Sequence, residues 1–467
     1  MGRILFFILL LWAHISVAKI WTPTILSDNM VLQQQSTATI WGWTTATSET
    51  ITITGSWNNE AVTAKAHQGV WSAQLPTPIA GGPYTLTIKG HEEITFSNVM
   101  IGEVWIASGQ SNMQWTPNMG LDNAQEEIEQ ANFPKIRFFQ VPQWKSTTPQ
   151  DDSPGEWMSC SPETMQNFSS VAYFFGRKLH KGLSVPIGLI SSNWGGTPVE
   201  VWIPKDLIEG NSGLNAAAKK LSEFEWWPEQ PGVTYNAMIH PLLKFNIAGA
   251  IWYQGESNRD NAISYYESFP LLIDSWRAGW KKEFPFYFAQ IAPFDYDKDK
   301  KDIKAAVVRD AQLYTMQSVP KTGMAVTNDI GNLKDIHPTN KQEVGRRLAL
   351  WALAKTYGVK DVAYSGPVYK EMEVKKNKIV LTFDHAKNGL KMDGKELKEF
   401  YIAGADKKFY EAKARIKGNL VEVSSKKVKA PVAVRFAFYD KALPNLYNAE
   451  GLPASGFRTD QWELNLD

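Results

Sequence analysis

Residues 104–115 read Val-Trp-Ile-Ala-Ser-Gly-Gln-Ser-Asn-Met-Gln-Trp, an apolar run that stops at a Ser-Gly pair and gives way to a polar segment. The run 104–107 reads as a buried strand, and the polar segment behind it as the start of a helix. That junction suits a sheet whose strands feed helices, with Ser111 on the turn between them. A hydroxyl there projects from the carboxyl edge of the sheet toward free N–H groups at the helix start. A serine at such a turn is also a common helix cap. The position alone therefore leaves a nucleophile and a cap both open.

The pattern around this junction divides the chain. Residues 19–98 carry short alternating runs, at 39–43, 49–54, 61–64 and 84–89, separated by Gly- and Asn-bearing turns. They predict a small β-sandwich-like module. From 99 to 360, apolar runs at 104–107, 136–139, 187–191, 249–253, 286–291 and 324–327 alternate with helical periodicity at 171–181, 265–280, 303–319 and 340–357. That alternation predicts a parallel sheet. In the first of these helices Val171, Phe174, Phe175 and Leu179 share one face, and Pro338 is expected in the first turn of the last. Residues 208–232 have poor periodicity and read as an insertion near the substrate. From 361 to 467 the runs at 379–383, 399–402, 420–423 and 432–438 predict a second β module.

Bulk properties exclude several partners. The formal net charge is +1 with no long single-sign run, which gives no support for nucleic acid or an anionic membrane as partner. The chain opens Met-Gly-Arg, continues uncharged from Ile4 to Trp12, and reaches Ser16-Val17-Ala18. This is the pattern of a cleavable export signal over residues 1–18, and the run is too short to span a bilayer. A secreted or periplasmic protein without a membrane anchor is expected. The lone Cys160 allows no intrachain disulfide and reads as non-catalytic. His67, His91, His180, His240, His337 and His385 show no metal-ligand spacing to one another. No metal or other cofactor is expected. The load of 19 Trp, 16 Tyr and 22 Phe mostly serves cores, but rings with polar tips also suit a sugar.

Four segments carry further chemistry and occur in a fixed order. They are Gly109-Gln-Ser-Asn-Met113, Ser191-Ser-Asn-Trp-Gly-Gly-Thr197, Trp252-Tyr-Gln-Gly-Glu256 and Asp335-Ile-His337. They resemble the nucleophile, glycine, third and acid–base blocks of the SGNH hydrolase superfamily, and specifically of its sialate O-acetylesterase family. Residues 25–32 and 445–453 extend the resemblance over essentially the whole mature chain. The resemblance implies an α/β fold, with a flavodoxin-like parallel-sheet core between the two β modules. It implies ester hydrolysis with Ser111 as nucleophile, His337 as base and Asp335 as the orienting carboxylate. The implied oxyanion donors are the Ser111 N–H, a glycine of the 195–196 pair with Gly196 preferred, and the Gln254 amide, where the wider superfamily carries Asn.

The wider superfamily also places its Asp three residues before the His, and that position here is Lys334. Glu256 and Asp329 therefore stay open as alternatives to Asp335. Glu256, Asn258 and Arg309 are further candidates for substrate contact, with a surface ion pair as the plainer role for Arg309. The implied substrate is an O-acetylated sialic acid. Acetyl xylan or another acetylated polysaccharide is the alternative within the same chemistry. A glycan-binding protein that kept the fold without catalysis is the alternative outside it.

Overall fold

The computed structural model describes residues 18–296 and 302–466, so nearly all of the expected export signal lies outside the described residues. The change of pattern at residue 99 is crossed by one strand and not by a linker. Strand β1 (Glu93–Gly109) runs for 17 residues. Its first part alternates between exposed and half-buried positions and pairs antiparallel with residues 81–89 of the N-terminal module. From Val99 onward every residue is buried. A strand wet on one side thus becomes one covered on both sides, and the expected boundary marks that change of burial.

With β1, six further strands make up the central part of an eleven-stranded sheet, whose other four strands belong to the N-terminal module: β2 (Phe133–Gln140), β3 (Trp157–Cys160), β4 (Ile187–Asn193), β5 (Gly249–Tyr253), β6 (Phe286–Ala289) and β7 (Thr322–Ala325). Their order is β3-β2-β4-β1-β5-β6-β7, parallel except for β3. Without the β2–β3 edge pair, the order in chain sequence is 2-1-3-4-5, that of a flavodoxin-like doubly wound sheet. Its direction of winding reverses between β1 and β5, and such a crevice is where ligands bind in open α/β sheets.

The principal helices are α1 (Ser111–Gln114), α2 (Ser170–Leu183), α3 (Ser212–Ala218), α4 (Tyr265–Trp280), α5 (Lys304–Ser318) and α6 (Lys341–Trp351). Strand alternation sends side chains to two faces. Trp105, Ala107, Ile251 and Tyr253 join the layer of α2 and α6, with Val171, Phe175, Leu348 and Trp351. Val104, Ile106, Ala250 and Trp252 join the opposite layer, with Phe269 and Trp276 of α4 and Val307 of α5. Helix α6 starts within one residue of its expected position, but Pro338 does not open it. The Asn340 side chain accepts from the Glu343 N–H and caps it, which leaves Pro338 outside the first turn. Cys160 is buried, and burial pushes its thiol up to about 12, so it stays protonated.

The C-terminal region forms two four-stranded sheets and a two-stranded ribbon. Its Asp440 carboxylate accepts from the Arg259 Nε and from the N–H of Ala305, at the start of α5. No described helix is long and apolar enough to cross a membrane.

Candidate active site

The carboxyl end of β1 is pressed between its two neighbours. A Cβ on Gly109 would lie 2.1 Å from the Tyr253 carbonyl oxygen, and the residue has φ +139°, so only glycine serves there. The Gln110 N–H donates to the Tyr253 carbonyl of β5, and the Trp194 N–H beyond β4 donates to the Gly109 carbonyl. The Gln110 Oε1 accepts from the Gly255 N–H at 3.1 Å. Ser111 thus emerges at the switch point on a turn tied to both sides. The helix that follows is a single turn of four residues. Individual N–H groups, rather than the dipole of a long helix, are therefore what this turn offers an anion.

Ser111 Oγ lies 2.9 Å from His337 Nε2. With the imidazole proton on Nδ1, the serine O–H donates to Nε2. The Trp115 ring stacks on the imidazole at 4.2 Å between centroids and 15° between planes, which fixes its tilt. On the far side, Nδ1 lies 3.5 Å from Asp335 Oδ1, and the same oxygen accepts from the His337 backbone N–H at 2.9 Å. The Asp335 side chain is about half exposed, at 52%. The two other carboxylates considered for its role are engaged elsewhere. Both oxygens of Asp329 accept from Arg347 at 2.7 Å, and Glu256 Oε1 accepts from the Asn112 Nδ2 at 2.7 Å.

Beneath the pair runs a buried relay that the sequence reading missed. Asn112 Nδ2 donates both to Glu256 and to the carbonyl of Ile336, the residue before His337. Asn112 Oδ1 accepts from Lys341 Nζ at 2.6 Å. One amide thus joins the Ser111 turn, the Glu256 segment and the His337 loop. Lys341 is fully buried, with its ammonium over the rings of Trp115 and Tyr253. Burial lowers it to about 7, against the pull of Glu256 and Asp335. Burial also raises Glu256. His337 is lowered by burial and then by the Lys341 charge, which Asp335 opposes. The imidazole therefore stays neutral, and able to accept a proton, below the ordinary histidine range.

Three expected contacts are corrected. Gln254 is wholly buried. Its Nε2 donates to the Thr197 carbonyl and to Asn258 Oδ1, and its Oε1 accepts from the Tyr265 hydroxyl. Neither amide proton is left for an oxyanion, because Gln254 follows Trp252 to the α4 side of the sheet. Asn258 spends its amide on Glu200 and its oxygen on the Val199 N–H and Gln254. Arg309 is buried against the carbonyls of Tyr439 and Asp440, where it fastens α5 to the C-terminal region. The two glycines also separate. The Gly195 N–H donates to Gln114 Oε1 at 2.8 Å, whereas the Gly196 N–H has no acceptor among the described residues.

These groups open onto a cleft of about 470 Å³ lined by Ser111, Gln114, Gly196, Trp227, Glu256 and His337 among others. Trp227, from the expected insertion, lines its wall and stacks on Phe224 of the same loop.

Residues 101–354 match the family model described as carbohydrate esterase, sialic acid-specific acetylesterase. The chain is 31% identical over 437 residues to the human sialate O-acetylesterase, covering 85% of this chain and 82% of that one. The rat sialate O-acetylesterase is 30% identical over 442 residues, covering 81% of each. A crystal structure of a carbohydrate acetylesterase from Xanthomonas citri superposes with a TM-score of 0.87 at 38% identity, covering 95% of this chain and 100% of that one. The match spans the cleft and the modules on either side of it, and the chain belongs to the sialate O-acetylesterase family of carboxylic ester hydrolases.

Proposed function

We propose that the protein removes O-acetyl groups from sugars through an acyl-serine intermediate, on a core of the SGNH type. The observation that carries this reading is the 2.9 Å approach of Ser111 Oγ to His337 Nε2 in an open cleft, beside an unengaged Gly196 N–H. His337 takes the serine proton as Oγ attacks the acetyl carbonyl. The Ser111 and Gly196 N–H groups hold the oxyanion. Gln114 lines the cleft with its Oε1 on Gly195, so its Nε2 is the third donor in place of Gln254. His337 then passes the proton to the departing sugar oxygen. It next deprotonates a water that attacks the acetyl carbon, which releases acetate and restores Ser111. Asp335 holds the imidazole and stabilises its charged form. The basic start, apolar run and small residues of 1–18 support export through a cleaved signal, to the periplasm or outside the cell.

The relatives' names support sialic acid as the acetylated sugar. A neutral acetylated polysaccharide such as acetyl xylan is a second reading, and one observation favours it. The described residues lining the part of the cleft around Ser111 include Glu256 but no Lys or Arg, so none of them pairs with a sugar carboxylate there. Released acetate, measured on O-acetylated sialic acids and on acetylated xylo-oligosaccharides, separates the two. On any substrate that is cleaved, Ser111→Ala should lose on the order of 10³- to 10⁶-fold in kcat. Retention of more than about a tenth of the rate would overturn the mechanism.

A further inference from the structure

A second lobe of about 510 Å³ adjoins the catalytic one, and the acyl transfer itself does not use it. Gly196, Trp227, Glu256 and Ser257 line both lobes, so the two form one continuous cleft with Trp227 on the wall between. The wall is seated firmly. A Cβ on Gly196 would lie 2.2 Å from the Trp227 ring, and Gly196 has φ +80°, so a side chain there would displace the indole. Phe224 stacks on Trp227 at 4.4 Å, and its N–H donates to Glu229 Oε1, which closes the loop on itself. The Trp194 Nε1 donates to the Trp226 carbonyl at 3.0 Å, which ties the loop to the glycine block.

Each lobe alone lies within the roughly 300–1,000 Å³ range of small-molecule sites. Together they exceed what a single acetylated sugar ring requires. The chemistry of the second lobe narrows its occupant. Phe224 and Trp227 offer ring surface, and neighbouring Trp226 is 74% exposed, although large rings elsewhere in this chain are mostly buried. Such rings suit the apolar C–H face of a pyranose. Glu229, Asp260 and Glu256 line the lobe beside one lining cation, Lys220, and Asp260 also pairs with Arg259 at 3.6 Å. These carboxylates accept hydrogen bonds from hydroxyls, which is the chemistry of a neutral sugar. Asp260 is held in place by Lys304 at 3.3 Å.

We propose that the second lobe binds the neutral sugar residue next to the acetylated one, so that the substrate is an O-acetylated oligosaccharide or glycan chain and not a free acetylated monosaccharide. This rests on reading the catalytic lobe as an O-acetylesterase site. The test compares kcat/KM within pairs that differ only in the attached residues: O-acetylated sialic acid against its lactose conjugate, and O-acetylated xylose against O-acetylated xylotetraose. In at least one pair the longer substrate should be favoured by on the order of tenfold, the worth of roughly 1.4 kcal/mol of added binding. Ser222→Trp, which fills the second lobe from an exposed position, and Phe224→Ala, which removes its ring, should each bring that ratio toward one. Because both substrates are measured on each variant, a general loss of folded protein cancels. A ratio near one in both pairs for the unaltered protein, or a ratio that neither variant changes, would overturn the proposal. Failure of the unaltered protein to cleave even p-nitrophenyl acetate would instead overturn the esterase reading beneath it.

Discussion

Ser111 and His337 meet at 2.9 Å but are held by unlike parts of the molecule. The Ser111 turn is fixed by backbone. It ends the central strand of a parallel sheet, and main-chain hydrogen bonds to Tyr253 and from Trp194 tie it to both neighbours. His337 sits on a loop between β7 and α6, beside a half-exposed Asp335. Side chains fix that loop: the Trp115 ring against the imidazole, the Asn112 amide on the Ile336 carbonyl, and Arg347 on Asp329. Backbone pairing survives a change of side chain other than to proline, whereas each side-chain tie is lost with its side chain. The His337 half is therefore where substitutions and pH should tune the enzyme while Ser111 stays in place.

The largest effect expected within that half is at Asp335. Asp335→Asn should lower kcat by up to roughly 10⁴-fold with KM little changed, as loss of the orienting carboxylate does in a serine protease. Asp329→Asn should instead lower thermal stability, since both its oxygens serve Arg347. If Asp335→Asn is nearly silent and Glu256→Gln is inactive, the acid role moves to Glu256. Asn112→Ala comes next. It cuts the link between the two halves without touching either reacting group, and a misplaced base should cost about 10²-fold in kcat. Equal rates for Asn112→Ala and the unaltered enzyme would mean that the sheet alone aligns the pair.

Lys341→Met should have the smallest effect on the plateau rate and a distinct effect on its pH dependence. Lys341, lowered to about 7, carries its charge in the acid range where His337 titrates. That charge helps to keep His337 below its ordinary value, whereas Asp335 pulls the other way. Removing the charge lets the imidazole hold its proton to higher pH. The acid limb of kcat/KM should therefore move to higher pH. An unmoved or lowered limb would show that Lys341 does not act on the base.

What was legible in the sequence follows the same division. β5 and α4 lie where apolar runs and helical period placed them, and the flavodoxin-like winding follows from their alternation with the other strands. The antiparallel edge strand β3 was missed, because its four residues carry no usable period. Ser111 and His337 stood in short local patterns. The Asn112–Glu256–Lys341 relay did not, since its members lie 144 and 229 residues from Asn112 and only the folded sheet edge joins them. Gln254 was misplaced by reading a block as a set of facing groups. A residue just past a strand inherits the strand's alternation, and this one turns to the Tyr265 side.

The central claim is that His337 activates Ser111 to form a covalent acyl-enzyme. A fluorophosphonate, which reacts with activated serines, tests it in one experiment with peptide mapping by mass spectrometry. The account predicts one adduct per chain, on the peptide bearing Ser111, with loss of esterase activity in step with labelling, and labelling strongly slowed in His337→Ala. An adduct on another residue, or labelling of Ser111 at the same rate in His337→Ala, would contradict it.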